Sequence, residues 1–493
     1  GSLALLAVGT LAMAFYRPKW LIYFALTFLV TRNMFVYYPY YIKFVYVGDG
    51  PGDLLLSFLR KATRESPAYG KFLWVTFVII LMRQLLLWIP KGRQALILDR
   101  RMTLIFIFIV CFVISTLANM VFSKASFETL IGLGLPLLLF YLVVTTPMDM
   151  KQLAMLASYL SFIGFEMQML IMIVNNWPNI MAGHFFFGDY AFGTFMFPLS
   201  EFSGFMISTS YFMFFMRFLI DKRPSDLIRM LVCFYGFVSI AAMYFVFLNA
   251  IFTLVAIAIA YFLKVINVKQ VAGAAIAMGI MLVPAYLIIT DPTIFPQAEH
   301  VNNNLNKNAN SDIKDIPKVY SFINLYNMME AEGKFFFGAG PGMFLSANGD
   351  SPLTRKYGTA KVLNLRKILS SSQQIENSFV GIVGEIGIIG YLAYMGFYVN
   401  LLKGNLRHVT RRFRMGLPPD PLYASLLVSA ILFFIISLLR NMIESINFGF
   451  PFMYWVVLVY LTQQKEQALW AKASEEAQSR SDPPEVAASP QLA

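Results

Sequence analysis

The feature that most constrains this chain is the repetition of long, nearly uncharged apolar runs. Eleven stretches of spanning length, roughly 17–25 residues, lie at 71–90, 102–122, 127–147, 152–175, 197–220, 228–248, 250–267, 270–290, 377–402, 422–440 and 446–463. Two less regular runs, 3–16 and 20–46, precede them. A soluble domain cannot bury so many uninterrupted apolar segments in one core. Only 13% of residues are charged, against about 25% in soluble proteins. The runs therefore predict an all-α polytopic integral membrane protein with 12 or 13 transmembrane helices.

Orientation follows from Lys and Arg in the short connections, which stay on the cytoplasmic side. The most basic of these runs from Lys403 to Arg414. Lys91–Arg101, Asp221–Arg229 and Lys264–Lys269 are also basic, and all four fall on one side if each run crosses once. The net charge of +12 then reflects cytoplasmic loops rather than nucleic-acid binding. The expected organisation is an N-terminal helical part (1–290), a large outer loop (291–375), C-terminal spans (376–463) and a cytoplasmic tail (464–493). The tail is rich in Ser, Pro, Glu and Gln and reads as disordered. The outer loop is the one segment of soluble size, and loops this long usually carry function. Within it, Val319, Phe322, Ile323, Tyr326 and Met329 recur at helical spacing. Residues 51–64 read either as an interfacial amphipathic helix or as a plain connection.

Two cysteines, Cys111 and Cys233, sit inside apolar runs, so no disulfide framework is available. His184, His300 and His408 are scattered, without zinc-site spacing. No metal and no cofactor is expected.

Three stretches carry candidate chemistry. Gly338-Ala-Gly340-Pro-Gly342-Met-Phe344 has glycines at alternate positions, which suits either an anion-binding nest of backbone amides or a tight turn. Glu376-Asn377-Ser-Phe-Val-Gly381-Ile-Val-Gly384-Glu385-Ile-Gly387-Ile-Ile-Gly390 opens a span at its outer end. Its glycines at every third position leave a smooth face on which a helix or a lipid chain can lie. Glu376 and Gly387 share that face, about 20° apart at 100° per residue. Glu385 falls about 14 Å deeper, where a structural pairing with a buried cation such as Arg83 is expected. The third stretch, Gly188-Asp189 through Gly193-Thr194-Phe195 and Pro198 to Glu201, leads from an outer loop into a helix.

In this order the three stretches resemble the O-antigen ligase and O-antigen polymerase superfamily, across roughly residues 180–400. The resemblance implies a membrane glycosyltransferase on the periplasmic side of the bacterial inner membrane. Its donor and acceptor glycans would hang on undecaprenyl pyrophosphate, and a chain-length regulator is a conceivable partner. It implies Glu376 either as the base on the acceptor hydroxyl or as a residue that only orients the acceptor, with Asn377, Asp189 and the glycines Gly338, Gly340 and Gly342 at the substrate. Ligases of the superfamily carry His at the position of Glu376, Arg near Asp189 and a Ser-Arg pair near Asn249, so the departures favour a polymerase. Cations for the pyrophosphate are expected from the outer side, with Lys318, Arg366 and Arg440 ahead of Lys314, Lys334, Arg355, Lys356, Lys361 and Lys367. Ligase transfer onto lipid A-core is the alternative within the class. Transport of lipid-linked sugars and a scaffold in polysaccharide export stand outside it.

Overall fold

The computed structural model describes residues 2–28, 66–91, 100–146, 148–181, 200–240, 243–291, 317–344, 353, 356, 378–416, 420–439 and 470–471. Among them every regular element is a helix. In chain order these are α1 (Ser2–Tyr16), α2 (Ser66–Lys91), α3 (Arg100–Ala118), α4 (Lys124–Thr145), α5 (Met150–Gly164), α6 (Glu166–Asn175) and α7 (Trp177–Met181). Then follow α8 (Ser200–Asp221), α9 (Pro224–Ile240), α10 (Met243–Phe262), α11 (Val268–Thr290), α12 (Pro317–Glu332), α13 (Ser378–Arg414) and α14 (Pro421–Leu439).

The all-α expectation is met among these residues. Two helical segments are long and apolar enough to cross a membrane, Ser126–Val143 and Ser378–Arg414, and the other apolar stretches are shorter. The shortening has local causes. The run expected at 152–175 is split at Phe165, whose backbone leaves the helical region (φ −121°, ψ −71°). The boundary expected near Asn249 is not found there. Asn249 sits inside α10 and donates its side-chain amide to Ser208 Oγ of α8 (2.9 Å). A residue at which the sequence reads as a break is thus an interhelical tie.

The bundle exposes apolar faces and buries polar groups alongside its apolar core. Phe106, Val110, Val113 and Leu117 form an exposed apolar stripe along α3, and Ile276, Ile280, Val283 and Leu287 form another along α11. Hydroxyls and amides lie inside: Ser115, Thr129, Gln168, Ser208, Asn249 and Thr253 are buried. The Thr253 hydroxyl donates to the Asn249 carbonyl (2.6 Å) and meets the Tyr211 hydroxyl (3.2 Å), adding a second contact between α8 and α10.

The basic stretch 403–414 is not a loop. It forms the last turns of α13, and the exposed Lys403, Arg407, Arg411 and Arg414 fall within about 80° of one another. Asn405 and Val409 are buried on the opposite side. Lys264, in the α10–α11 turn, lies over the Phe413 ring at 5.7 Å, so two of the four basic connections share one end of the bundle. Trp470, in the segment expected to be an unstructured tail, is placed under Arg411 at 4.3 Å. At the α8–α9 turn, the buried Asp226 pairs with Arg217 (3.5 Å). Cys111 and Cys233 are buried in α3 and α9.

Candidate functional site

The glycine motifs at 338–342 and 381–390 are two halves of one interlock. α13 breaks at Gly387, whose φ of 85° and ψ of 173° lie in a region essentially closed to residues with a Cβ. In an unbroken helix the carbonyls of residues 384 and 385 would accept from the amides four residues on. The break takes those donors away. The glycine loop after α12 supplies replacements: the Ala339 amide donates to the Gly384 carbonyl (2.8 Å) and the Gly340 amide to the Glu385 carbonyl (3.0 Å). In return the Ile388 amide donates to the Phe335 carbonyl (3.2 Å). Ser115 Oγ of α3 adds a second donor to the Glu385 carbonyl (2.7 Å). Buried backbone groups freed by a helix break need partners within the protein, and here the loop supplies them.

This geometry corrects two sequence expectations. The nest reading of Gly338, Gly340 and Gly342 requires free amides, yet those of Gly338, Ala339, Gly340 and Met343 all donate to backbone carbonyls of the protein. The motif is a plug rather than an anion cradle. The glycine face of α13, in turn, is not open to a lipid chain. At Gly384 an added Cβ would meet the Phe344 ring at 2.1 Å, at Gly387 the Phe336 carbonyl at 2.0 Å, and at Gly390 the α3 residue Cys111 at 3.3 Å. The chain itself fills the groove, and α3 completes the seal through Phe108, 4.8 Å from Tyr394.

Glu385 is 1% exposed. It does not pair with Arg83, whose Nε donates to the Ala14 carbonyl of α1 (2.8 Å). Residues that sequence reading passed over hold the plug. Asn119, just beyond α3, donates to the Ser115 and Gly338 carbonyls and accepts from Lys334 Nζ (2.7 Å). Ser126 of α4 donates to the Pro341 carbonyl (2.7 Å). The signal available was a pair of polar residues, Ser115 and Asn119, one turn apart at the end of an otherwise apolar run. Asn119→Ala should cost about 1–3 kcal/mol by orphaning these groups. The expected readout is a lower melting midpoint together with faster proteolysis at 334–344, and an unaltered digestion pattern would refute the assignment.

Lys318 lies in the first turn of α12. One turn further along, Phe322 packs on Phe379 of α13 (5.6 Å), and Phe379 in turn packs on Tyr391 (4.8 Å). Phe379 occupies the first turn of α13, which starts immediately after Asn377. α12, which carries Lys318, is therefore fixed to α13 twice, by this ring contact and by the plug. Two other candidate cations are already engaged: Lys334 with Asn119, and Lys356 with Glu332 (2.7 Å). Glu376, Asn377, Asp189, Arg366 and Arg440 lie outside the described residues.

No protein-family model matches the chain, and no curated protein matches it.

Proposed function

We propose that the protein is a multi-pass membrane glycosyltransferase that lengthens polyprenyl-pyrophosphate-linked glycans on the outer face of the bacterial inner membrane. The membrane part of the reading is supported by two helices long and apolar enough to cross a bilayer and by the exposed apolar stripes along α3 and α11. The basic end at Lys264 and Arg411 then marks the cytoplasmic side, and α12 with its glycine loop lies on the other.

One observation carries the chemistry: α12 is clamped on the first turn of α13. Lys318 stands four residues before Phe322, and Glu376 three residues before Phe379. In this proposal the ammonium of Lys318 and the carboxylate of Glu376, each about one turn before a paired ring in the sequence, act at the same mouth. A carboxylate there removes the proton of the acceptor hydroxyl. The hydroxyl oxygen attacks the anomeric carbon of the donor glycan, the glycosidic bond to the lipid pyrophosphate breaks, and the diphosphate leaves with the bonding pair. Lys318, with Arg366 and Arg440, neutralises the charge that gathers on the leaving group. Asn377 and Asp189 would orient sugar hydroxyls. The three glycines act indirectly, through the plug that sets α12 on α13.

The test is reconstituted protein supplied with a lipid-linked oligosaccharide repeat. A ladder of lengthened products with release of polyprenyl pyrophosphate is expected. Transfer only onto lipid A-core would make the protein a ligase, and movement of substrate across a vesicle without bond formation would make it a transporter. Lys318→Ala should raise the KM for the donor about tenfold, the equivalent of 1.4 kcal/mol, with Lys318→Arg close to the parent. Equal KM values in all three would remove Lys318 from the diphosphate site.

A further inference from the structure

We infer that the turn Phe335-Phe336-Phe337, together with Met120 and Phe122, is a rigid contact surface for the outer leaflet of the bilayer. The inference rests on the membrane reading given above. The three phenylalanines are 49%, 59% and 37% exposed, although the backbone that carries them is hydrogen-bonded on both sides. Lys334 before them and Gly338 after them are both bound by Asn119. The Phe335 carbonyl accepts from Ile388, and the Phe336 carbonyl lies against Gly387. Phe335 and Phe336 meet edge to face, with centroids 5.4 Å apart.

The neighbouring α3–α4 turn has the same character. Val121 is buried beneath Gly340, within 2.9 Å of where a Cβ there would sit, while Met120 and Phe122 point outward at 78% and 75% exposure. Two turns from distant parts of the sequence are thus pinned together by Asn119, with five large apolar side chains on their outer surface. In water such a surface would be a sticky liability. An apolar side chain fixed by its backbone cannot fold away to hide.

The occupant is fixed by depth and continuity. α3 has 19 residues, so it is about 28 Å long, close to the roughly 30 Å of a hydrocarbon core. Its basic start, Arg100-Arg101, lies at the cytoplasmic end, which sets Asn119 at the outer boundary. The exposed stripe Phe106, Val110, Val113 and Leu117 leads directly to Met120. The five side chains therefore continue the lipid-facing flank to the region just beneath the headgroups, where amphipathic elements bury their apolar faces. The Ser115–Glu385 bond puts the break in α13 at the same height. Lipid then holds the plug from outside, while Asn119 and Ser115 hold it from within.

Nitroxide labels at Phe336→Cys and Phe122→Cys in phosphatidylethanolamine–phosphatidylglycerol vesicles test this. Labels at Ile109→Cys, on the exposed flank of mid-α3, and Glu330→Cys, on the exposed side of α12, are the lipid and water references. The parent protein, whose two cysteines are buried, provides the blank. Oxygen-to-nickel-chelate accessibility at 336 and 122 should be several-fold above that at 330 and close to that at 109. Water-like values at 336 and 122, with 109 in lipid, would overturn the inference and leave the membrane reading standing. Water-like values at 109 as well would overturn both.

Discussion

Glu376→Gln should abolish chain lengthening while leaving the protein folded and able to bind the lipid-linked donor. Glutamine keeps the size of the side chain and both hydrogen-bonding positions, but it cannot take a proton. A general base contributes roughly 10²–10⁴ to rate, so turnover should fall by that factor with little change in KM. A residue that only orients the acceptor through a hydrogen bond would retain most of its effect as an amide, and the loss would stay near tenfold. The size of the loss in a single-turnover assay therefore separates the two roles. Near-parental rates would exclude Glu376 from the mechanism. The scaffold reading makes that very prediction, since a structural protein has no use for a carboxylate at this position.

The helices themselves were legible in the sequence because their signal is local. Apolar runs bounded by charge gave α2, α3, α4, α8 and α14 to within a few residues, and 3.6-residue spacing gave α12 inside the long outer loop. What was not legible depends on partners far along the chain. The glycines of α13 recur every three residues, and this spacing announces close approach without saying what approaches. The answer lies forty to fifty residues earlier, at Phe344 and Phe336. The break at Gly387 is equally silent in the sequence, because a glycine in an apolar helix is compatible with an unbroken one. Asn249 illustrates the opposite error. A polar residue in an apolar run reads as a boundary, yet burial against Ser208 makes it part of the helix. Basic residues at 403–414 suggested a loop because charge ends a membrane span, but charge does not end a helix, and α13 continues beyond the apolar segment.

Of the candidate site, the sequence supplied the pieces but not their relation. It marked the glycine motif as backbone-directed and left it open between an anion nest and a tight turn; the bonds of Ala339 and Gly340 to Gly384 and Glu385 favour the turn. The same amides cannot serve both. What the motif contributes to chemistry is placement: it ties the end of α12 to the break while Phe322 ties the start of α12 to Phe379, and two ties fix a helix where one would let it pivot.

Gly387→Ala should be the most damaging single-methyl substitution in the described part of the protein. The added carbon would lie 2.0 Å from the Phe336 carbonyl oxygen, 2.3 Å from its carbon and 2.5 Å from the Phe337 nitrogen. All three are backbone atoms of a turn held at both ends, so nothing can rotate aside. The dihedrals would also have to leave a region that alanine scarcely visits. Strain of this kind costs about 1–3 kcal/mol before any clash is counted, and the total should exceed about 4 kcal/mol, in the exceptional range for point substitutions. The prediction is loss of the folded peak in detergent, or a melting midpoint many degrees lower, with rapid cleavage between 334 and 344. Gly384→Ala meets instead the Phe344 ring, a side chain. Its smaller loss should be partly rescued by Phe344→Leu, as coupling between contacting residues requires, whereas no side-chain change should rescue Gly387→Ala. Gly273→Ala, where nothing lies within 4 Å, controls for helix propensity and should be neutral or stabilising by up to about 1 kcal/mol. If Gly387→Ala melted with the parent, the helix break would not exist in the folded protein. The plug, the height of Glu385 and the placement of Lys318 by α12 would then all have to be abandoned together.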